Sequence, residues 1–260
     1  MYKRQDPILG TKVRLQLEDL SNIKDGVVRS VENSLARLGR DHVHLIQLHN
    51  SISQTRVDGQ PVLTTEDAYE VSEAFKALQA QGKISAWGLT AVGDIDAIHT
   101  IISSGHFQTA QCPYNLLNPS QGSEIPHGYP YQDFKRLINS ASSKNMGVIA
   151  IRVLAAGALA ATAERHELAA QSPRPIGTGA SLIDDVAAAQ NFSFLWSEGY
   201  TDNLVEGAIR FAITNHDVST ALIGLSSMEQ LERAAIAAEK GPLPGEAIER
   251  LQAIWADMAN

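Results

Sequence analysis

Two residues with chemically useful side chains, Lys12 and His49, each follow a short apolar segment that predicts a β-strand. In parallel α/β folds the catalytic side chains lie at the carboxyl ends of the strands. We therefore expect Lys12 and His49 to lie at one edge of a sheet. A desolvated lysine beside a histidine could form a Schiff base with a carbonyl substrate, or lower the pKa of a neighbouring acid. Neither residue needs a catalytic role to occur at these positions. Lys12 could simply extend its ammonium group into solvent, and His49 could be a structural histidine.

The residues around His49 do not indicate a metal site. His42 and His44 lie close in sequence, but no cysteine or carboxylate at ligand spacing completes a zinc site. The one cysteine, Cys112, excludes an intramolecular disulfide framework.

The segment 223–231 passes from a predicted strand into a predicted helix. Gly224 lets the backbone approach a ligand, and a helix N-terminus presents unpaired N–H groups to an anion. This pattern is typical of a phosphate site. Ser226 and Glu229 also fit a capping box, which needs no ligand, and the sequence does not separate the two interpretations.

Six apolar segments alternate with helical patterns, which predicts an α/β fold with a parallel sheet covered by helices. A doubly wound sheet and a (β/α)8 barrel both fit, but no Gly-x-Gly-x-x-Gly follows the first strand, which argues against a Rossmann dinucleotide site. The predicted strands cover residues 8–13, 43–49, 84–89, 109–114, 147–154 and 219–223. The predicted helices cover residues 18–38, 64–81, 94–104, 131–144, 201–214, 227–238 and 245–258, with two or more short helices within 155–200.

The composition narrows the class of protein. Lys and Arg number 21 and Asp and Glu number 29, a net charge of −8 that disfavours nucleic acid and anionic membrane surfaces as partners. Hydrophobic residues make up 44% of the chain, enough for a sizeable core. No apolar run approaches the ~20 residues of a membrane helix. We expect a cytoplasmic protein that acts on a small molecule, while its oligomeric state stays open.

Seven segments of the chain form an ordered set: Ile8-Leu9-Gly10-Thr11-Lys12-Val13, Ser34-Leu35-Ala36-Arg37-Leu38-Gly39, Leu45-Ile46-Gln47-Leu48-His49, Gly82-Lys83-Ile84-Ser85-Ala86-Trp87-Gly88-Leu89-Thr90, Gln111-Cys112-Pro113-Tyr114-Asn115-Leu116-Leu117, and residues 147–154 and 223–231. These segments resemble consecutive sequence blocks of the aldo-keto reductases and together cover residues 8 to about 255. The resemblance implies a (β/α)8 TIM barrel that reduces an aldehyde or ketone to an alcohol by hydride transfer from NADPH, less often NADH.

The resemblance also implies roles for Lys12 and His49. The family's catalytic set is Asp, Tyr, Lys and His. Lys12 matches the lysine that lowers the pKa of the tyrosine, and His49 matches the histidine that orients and polarises the carbonyl. A phenol with a pKa of about 10 is a poor acid near neutrality unless an adjacent cation stabilises its anion.

The family's Asp and Tyr lie on the first two βα units, before the strand that carries the lysine. Here that strand begins at residue 8, so we expect a fragment with six of eight barrel strands and no activity on its own. Residues 1–5, Met-Tyr-Lys-Arg-Gln, correspond to a coding string that resembles a sequencing adapter, so Tyr2 is not expected to replace the donor. We expect residues 6–260 to form a single, incomplete barrel domain.

For the cofactor, Gln111 matches the glutamine that binds the nicotinamide amide, and Thr90 stands where a serine is usual. The other matching positions are Ile151, Arg152, Leu154, Gly224, Ser226 and Gln230, although Ile151 replaces the usual aromatic residue and Arg152 follows where a serine is usual. We expect NADPH rather than NADH, since Arg152, Arg174 or Arg233 could reach a 2′-phosphate.

Two other functions stay open. Some members of the family serve as nucleotide-binding regulatory subunits, which would bind a cofactor without turnover. A Schiff-base lyase that uses Lys12 fits the strand-end chemistry alone.

Overall fold

A computed structural model of the chain describes residues 7–161 and 164–259, and the expectations for residues 1–5, including Tyr2, lie outside them. The strands form one sheet in the order β1-β2-β3-β4-β5-β6, and every pairing given for them is parallel. This confirms an α/β fold with a parallel six-strand sheet, which is not closed. The strands are β1 (Gly10–Val13), β2 (Val43–Leu48), β3 (Ile84–Thr90), β4 (Thr109–Pro113), β5 (Gly147–Ile151) and β6 (Thr220–Ala221).

Helices alternate with these strands, as the periodicity predicts. Most of them begin after a residue whose side chain caps the first turn; Thr64, for example, accepts a hydrogen bond from the backbone N–H of Asp67. No helix in the described ranges has both the length and the apolar character needed to span a membrane. The α-helices of those ranges are α1 (Ile23–Leu38), α2 (Thr65–Ala80), α3 (Ile95–Ser104), α4 (Leu137–Ser143), α5 (Leu182–Ala189), α6 (Phe194–Ser197), α7 (Leu204–Thr214), α8 (Met228–Glu239) and α9 (Gly245–Asp257).

The described chain divides into two compact units. Unit 1 consists of residues 7–111 and Ser140–Gly147 and includes β1 to β3 and α1 to α3. Its core holds Val31 of α1 and Phe75 of α2. Unit 2 consists of Cys112–Asn139 and the described residues from 148 onward, and its core includes Phe192. The single-domain interpretation stays a prediction.

The helix expected over residues 18–38 is wrong at its start. Residues Leu17–Ser21 form a separate 3₁₀ helix, and α1 begins only at Ile23. Asn22 lies between them with φ −152° and ψ 79°, and its side chain accepts a hydrogen bond from the Asp25 N–H. An asparagine that caps a helix in this way competes with continued helical backbone, which ends the first helix at Ser21.

The helix expected over residues 131–144 is also too long. Lys135 and Arg136 have φ values of 52° and 53°, which a right-handed helix excludes. The Asp133 carboxylate accepts a hydrogen bond from the Lys135 N–H at 2.7 Å and stabilises this turn. The helix α4 therefore begins at Leu137.

A row of register-matched residues crosses unit 1 from β1 to β4. Lys12 of β1 pairs with Gln47 of β2, Gln47 with Gly88 of β3, and Gly88 with Thr109 of β4. Gln47 Nε2 donates to Thr109 Oγ1 at 2.6 Å, across the position of Gly88. A Cβ at Gly88 would lie 2.6 Å from Gln47 Oε1 and closer still to Thr109 Oγ1. The absent side chain of Gly88 thus leaves room for a buried polar contact.

Gly88→Ala should therefore destabilise unit 1 by about 3 kcal/mol, because the added methyl group displaces Gln47 or Thr109. Chemical denaturation of the variant and the parent chain measures the difference. Gly245→Ala is the matched control, since nothing lies within 4 Å of the Cβ it adds. An unchanged unfolding midpoint for Gly88→Ala would contradict the packing described for this row.

The last strand and helix α8 expose much apolar surface. Leu222 is 51% exposed and Leu225 41%, and on α8 the exposed fractions are 68% for Met228, 44% for Leu231 and 56% for Ile236. Only Ala237 of α8 is buried. Exposed apolar surface beside the outermost strand of a sheet favours association between chains.

We therefore predict that the purified chain self-associates. Replacing Met228 and Leu231 together by Lys should lower the mass measured by light scattering. Leu38→Lys, at a position that is 48% exposed on α1, is the control and should not. A monodisperse parent chain with one sharp thermal transition would contradict the prediction.

Candidate functional site

Three of the residues that the sequence selects form a hydrogen-bonded chain at the carboxyl ends of β2, β3 and β4. His49 Nδ1 lies 2.9 Å from Thr90 Oγ1, and Thr90 Oγ1 donates to Gln111 Oε1 at 3.1 Å. Thr90 and Gln111 are buried and lie opposite each other in the β3–β4 register, whereas His49 is exposed. The structure thus brings His49, Thr90 and Gln111 together, as three polar side chains with fixed partners.

Lys12 lies on the same face of the sheet as His49, Thr90 and Gln111. It pairs in register with Gln47, and Gln47 and His49 are two positions apart on one strand, so their side chains point to one face. The Lys12 side chain is exposed. Unit 1 therefore presents an ammonium group and an imidazole on one side of its sheet.

Asn50 is a structural residue of this region that sequence reasoning missed. Its side chain is buried, accepts a hydrogen bond from the Leu15 N–H and donates to the carbonyls of Leu15 and Pro61. It fixes the backbone that follows Lys12 and His49. The pattern of a polar residue directly after a buried strand was the available signal.

Unit 2 contains a large cleft of 1170 Å³. Among the sequence-predicted cofactor residues, five line this cleft: Arg152, Leu154, Gly224, Ser226 and Gln230. Ile151 and Arg174 are not among the described residues that line it, and the Ile151 carbonyl instead accepts from the Tyr114 N–H. Arg233 lines the cleft and pairs with Glu229 at 2.5 Å.

The wall of this cleft after β5 has a strained backbone. Arg152, Ala155 and Ala156 have φ values of 57°, 45° and 58°, in the left-handed region that residues with a Cβ rarely adopt. Gly157 follows at φ 103°. Such conformations cost of order 1–3 kcal/mol each and collect at ligand sites. The strained turn therefore indicates a ligand site, because packing alone does not favour these backbone conformations.

Arg165 is a second cleft residue that sequence reasoning missed. Its guanidinium donates to the carbonyl oxygens of Ala156 at 2.7 Å and Ala170 at 2.6 Å, so it holds the strained turn from the side. Nothing in its sequence context, an alanine-rich stretch with a few charged residues, indicates this position.

The charge beside Arg152 favours an anion. The acidic cleft residues Asp202 and Glu206 are paired with Lys240, and Glu164 also lines the cleft. Burial lowers the pKa of Arg152, and the positive charge of Arg165 lowers it further. Two guanidinium groups that repel each other in a partly dry cleft gain free energy when a negative group lies beside them. Phosphate oxygens carry the charge and geometry for this position.

The capping interpretation of Ser226 is wrong by one residue. Ser227, not Ser226, caps α8, and its hydroxyl accepts a hydrogen bond from the Gln230 N–H at 3.2 Å. Gln230 Oε1 in turn accepts from the Ser226 N–H at 2.7 Å. Ser226 therefore lies before the start of α8, and it lines the cleft.

Within the described residues, no group of three or more His, Cys, Asp and Glu side chains is arranged to hold a metal ion. The groups that the structure brings together are an imidazole, two amides, two threonine hydroxyls and an ammonium in unit 1, and guanidinium groups around a cleft in unit 2. They suit hydrogen bonding to a carbonyl or an alcohol in unit 1, and binding of an anion in unit 2.

The chain is similar to two proteins of Bacillus subtilis. It is 23% identical over 257 residues to the uncharacterized oxidoreductase YqkF of Bacillus subtilis, covering 96% of this chain and 74% of that protein. It is 32% identical over 118 residues to the aldo-keto reductase YhdN of the same organism, covering 44% of this chain and 32% of that protein.

Solved structures show the same fold. The aldo-keto reductase AKR11C1 from Bacillus halodurans matches in its apo form with a TM-score of 0.62 and in its holo form with 0.63. Each is 22% identical and covers 97% of this chain, and 72% and 73% of those chains are covered. The aldo/keto reductase family profile matches residues 1–256. The chain therefore belongs to the aldo/keto reductase family of NAD(P)H-dependent oxidoreductases.

Proposed function

We propose that this protein reduces an aldehyde or ketone to an alcohol, or catalyses the reverse reaction, with NADPH as the preferred cofactor. The observation that carries the proposal is the placement of Lys12 and His49 on one face of the unit 1 sheet, with His49 held through Thr90 to Gln111. When bound, the nicotinamide supplies or accepts the hydride. The substrate is a small carbonyl compound whose identity the loops do not specify.

In this proposal His49 hydrogen-bonds the reacting oxygen, and its orientation is fixed by Thr90. Lys12 supplies a positive charge that lowers the pKa of a neighbouring proton donor, because a cation stabilises the donor's anion. Gln111 binds the carboxamide of the cofactor through its own amide. These roles follow from the resemblance to the family, and the buried positions of Thr90 and Gln111 support them.

The unit 2 cleft fits the phosphate-bearing end of the cofactor. Arg152 and Arg165 supply positive charge, and Gly224 leaves open space, with no atom within 4 Å of a Cβ built on it. A cleft of 1170 Å³ is large enough for a dinucleotide-sized ligand. We propose that Ser226 and Gln230 contact the phosphate and adenosine groups, and that Arg152 or Arg233 contacts the 2′-phosphate that distinguishes NADPH.

None of the residues assigned so far donates the proton that reduction of a carbonyl requires. We propose that the 260-residue chain does not complete the reaction alone. The five described tyrosines have other contacts. Tyr69 stacks on His106 and Tyr200 packs edge-on to Phe194. The remaining three, in unit 2, are Tyr114, which contacts Phe211, Tyr129, which donates to the Leu117 carbonyl, and Tyr131, which contacts Tyr129. These contacts support a donor outside the described residues. A cytoplasmic location stays a prediction that nothing in the structure tests.

Arg152→Gln should weaken NADPH binding by about tenfold or more, because a charge-assisted hydrogen bond to phosphate contributes roughly 1.5–3 kcal/mol. Fluorescence titration of the chain with NADPH and NADH measures this. Arg250→Gln, which removes an exposed guanidinium near Glu198 and Phe194, is the control and should leave the affinity unchanged. Equal loss in both variants, or no binding by the parent chain, would contradict the cofactor site.

The 260-residue chain should show no robust carbonyl-dependent oxidation of NADPH or NADH, because general acid catalysis raises the rate of such a reaction by about 10²–10⁴-fold. In any form of the protein that does turn over, Lys12→Met should lower kcat far more than it weakens cofactor binding. Robust turnover by the 260-residue chain would overturn the proposal that the proton donor lies outside the described residues. Borohydride trapping of a carbonyl compound on Lys12 would favour a lyase, and cofactor binding without turnover in every form a regulatory subunit.

A further inference from the structure

Thr90 has a single hydroxyl proton and two polar partners. Its Oγ1 donates to Gln111 Oε1 at 3.1 Å and lies 2.9 Å from His49 Nδ1. Because the one proton is used toward Gln111, the hydroxyl oxygen must accept at the contact with His49. The proton of that hydrogen bond therefore belongs to the ring, on Nδ1.

This arrangement selects one tautomer of neutral His49. An imidazole that carries its proton on Nδ1 has an unprotonated Nε2, which accepts hydrogen bonds and cannot donate them. Such a ring is matched to an alcohol, whose O–H donates. A carbonyl oxygen needs a donor, so its binding requires the proton on Nε2 or a second proton on the ring.

Rotating the Gln111 amide by 180° reverses the direction of both hydrogen bonds, the one between Gln111 and Thr90 and the one between Thr90 and His49. The amide N–H would then donate to Thr90 Oγ1, and the hydroxyl would donate to His49 Nδ1. The ring proton would then lie on Nε2. Thr90 and Gln111 are both buried, and the β3–β4 register holds them opposite each other. Water is thus a poor substitute for either partner.

We propose that Thr90 is a positioning residue that couples the orientation of the Gln111 amide to the tautomer of His49. In the ligand-free chain the coupling sets the Nδ1–H form, which favours the alcohol. A carboxamide that donates to Gln111 Oε1 turns the amide N–H toward Thr90 and sets the Nε2–H form, which favours the carbonyl. This second step rests on the proposed binding of nicotinamide to Gln111, whereas the first does not.

The test is NMR of the chain labelled with ¹⁵N-histidine at pH 8, above the ordinary histidine pKa of about 6.5. His49→Gln identifies the His49 signals. The ratio of the Nδ1–H form to the Nε2–H form of His49 should be about threefold to tenfold higher in the parent chain than in Thr90→Val, the range that one net hydrogen bond supports. Thr90→Ser should restore the parent ratio. A ratio in the parent chain that is equal to or below that of Thr90→Val would overturn the proposal.

Two variants of Gln111 test the direction of the coupling. Gln111→Glu presents only acceptors at pH 8, so it should keep Thr90 donating to it and strengthen the Nδ1–H form. Gln111→Met removes the acceptor, so the hydroxyl should turn to His49 and shift the ring toward Nε2–H. Shifts in the opposite directions would overturn the coupling. Circular dichroism checks that both variants are folded.

Addition of NADPH separates the two proposals. Binding with a shift of His49 toward Nε2–H supports the cofactor-dependent step, and binding with no shift overturns it. Absence of NADPH binding contradicts the proposed function, while the tautomer in the ligand-free chain is still decided by the Thr90 variants.

Discussion

The Thr90 hydroxyl, buried between His49 and Gln111, is the interaction on which the unit 1 site depends. A buried hydroxyl that loses its partners costs about 1–3 kcal/mol, so the three strands that carry these residues must keep their register. Two positions before Thr90 on the same strand, Gly88 leaves the space in which Gln47 reaches Thr109. The site is therefore part of the folded sheet rather than an addition on flexible loops.

The cleft of unit 2 is shaped by backbone conformation rather than by strand register. Its cleft is bordered by a turn in which Arg152, Ala155 and Ala156 adopt left-handed backbone conformations. Arg165 compensates part of that strain through two hydrogen bonds to main-chain carbonyls. Its positive charge also disfavours the charged form of Arg152, in addition to the effect of burial. A bound anion would offset both effects, which supports the phosphate site that we propose.

The sequence predicts the strands and most helices because their apolar periodicity reports burial directly. It also predicts a shared sheet edge for Lys12 and His49, whereas the hydrogen bonds that link His49, Thr90 and Gln111 emerge only from the structure. It could not predict the left-handed Lys135 and Arg136, which shorten α4, or the shift of the α8 cap from Ser226 to Ser227. Those features depend on local side-chain hydrogen bonds that compete almost equally at adjacent positions.

The missed residues have a common physical cause as well. Arg165 acts on a turn that lies nine positions earlier, through carbonyl groups that every residue carries, so no residue type signals the contact. Asn50 likewise binds the backbone of Leu15, 35 positions away. Resemblance to the family supplied what spacing could not, namely the roles of Lys12 and of the residues around Gly224, and the structure places the latter around one cleft.

A crystal structure of the chain grown with NADPH tests the central claim most directly. The account predicts that the carboxamide of the cofactor lies within hydrogen-bond distance of Gln111 and that Thr90 still lies between Gln111 and His49. A carboxamide away from Gln111, or a Thr90 hydroxyl that contacts neither neighbour, would contradict it.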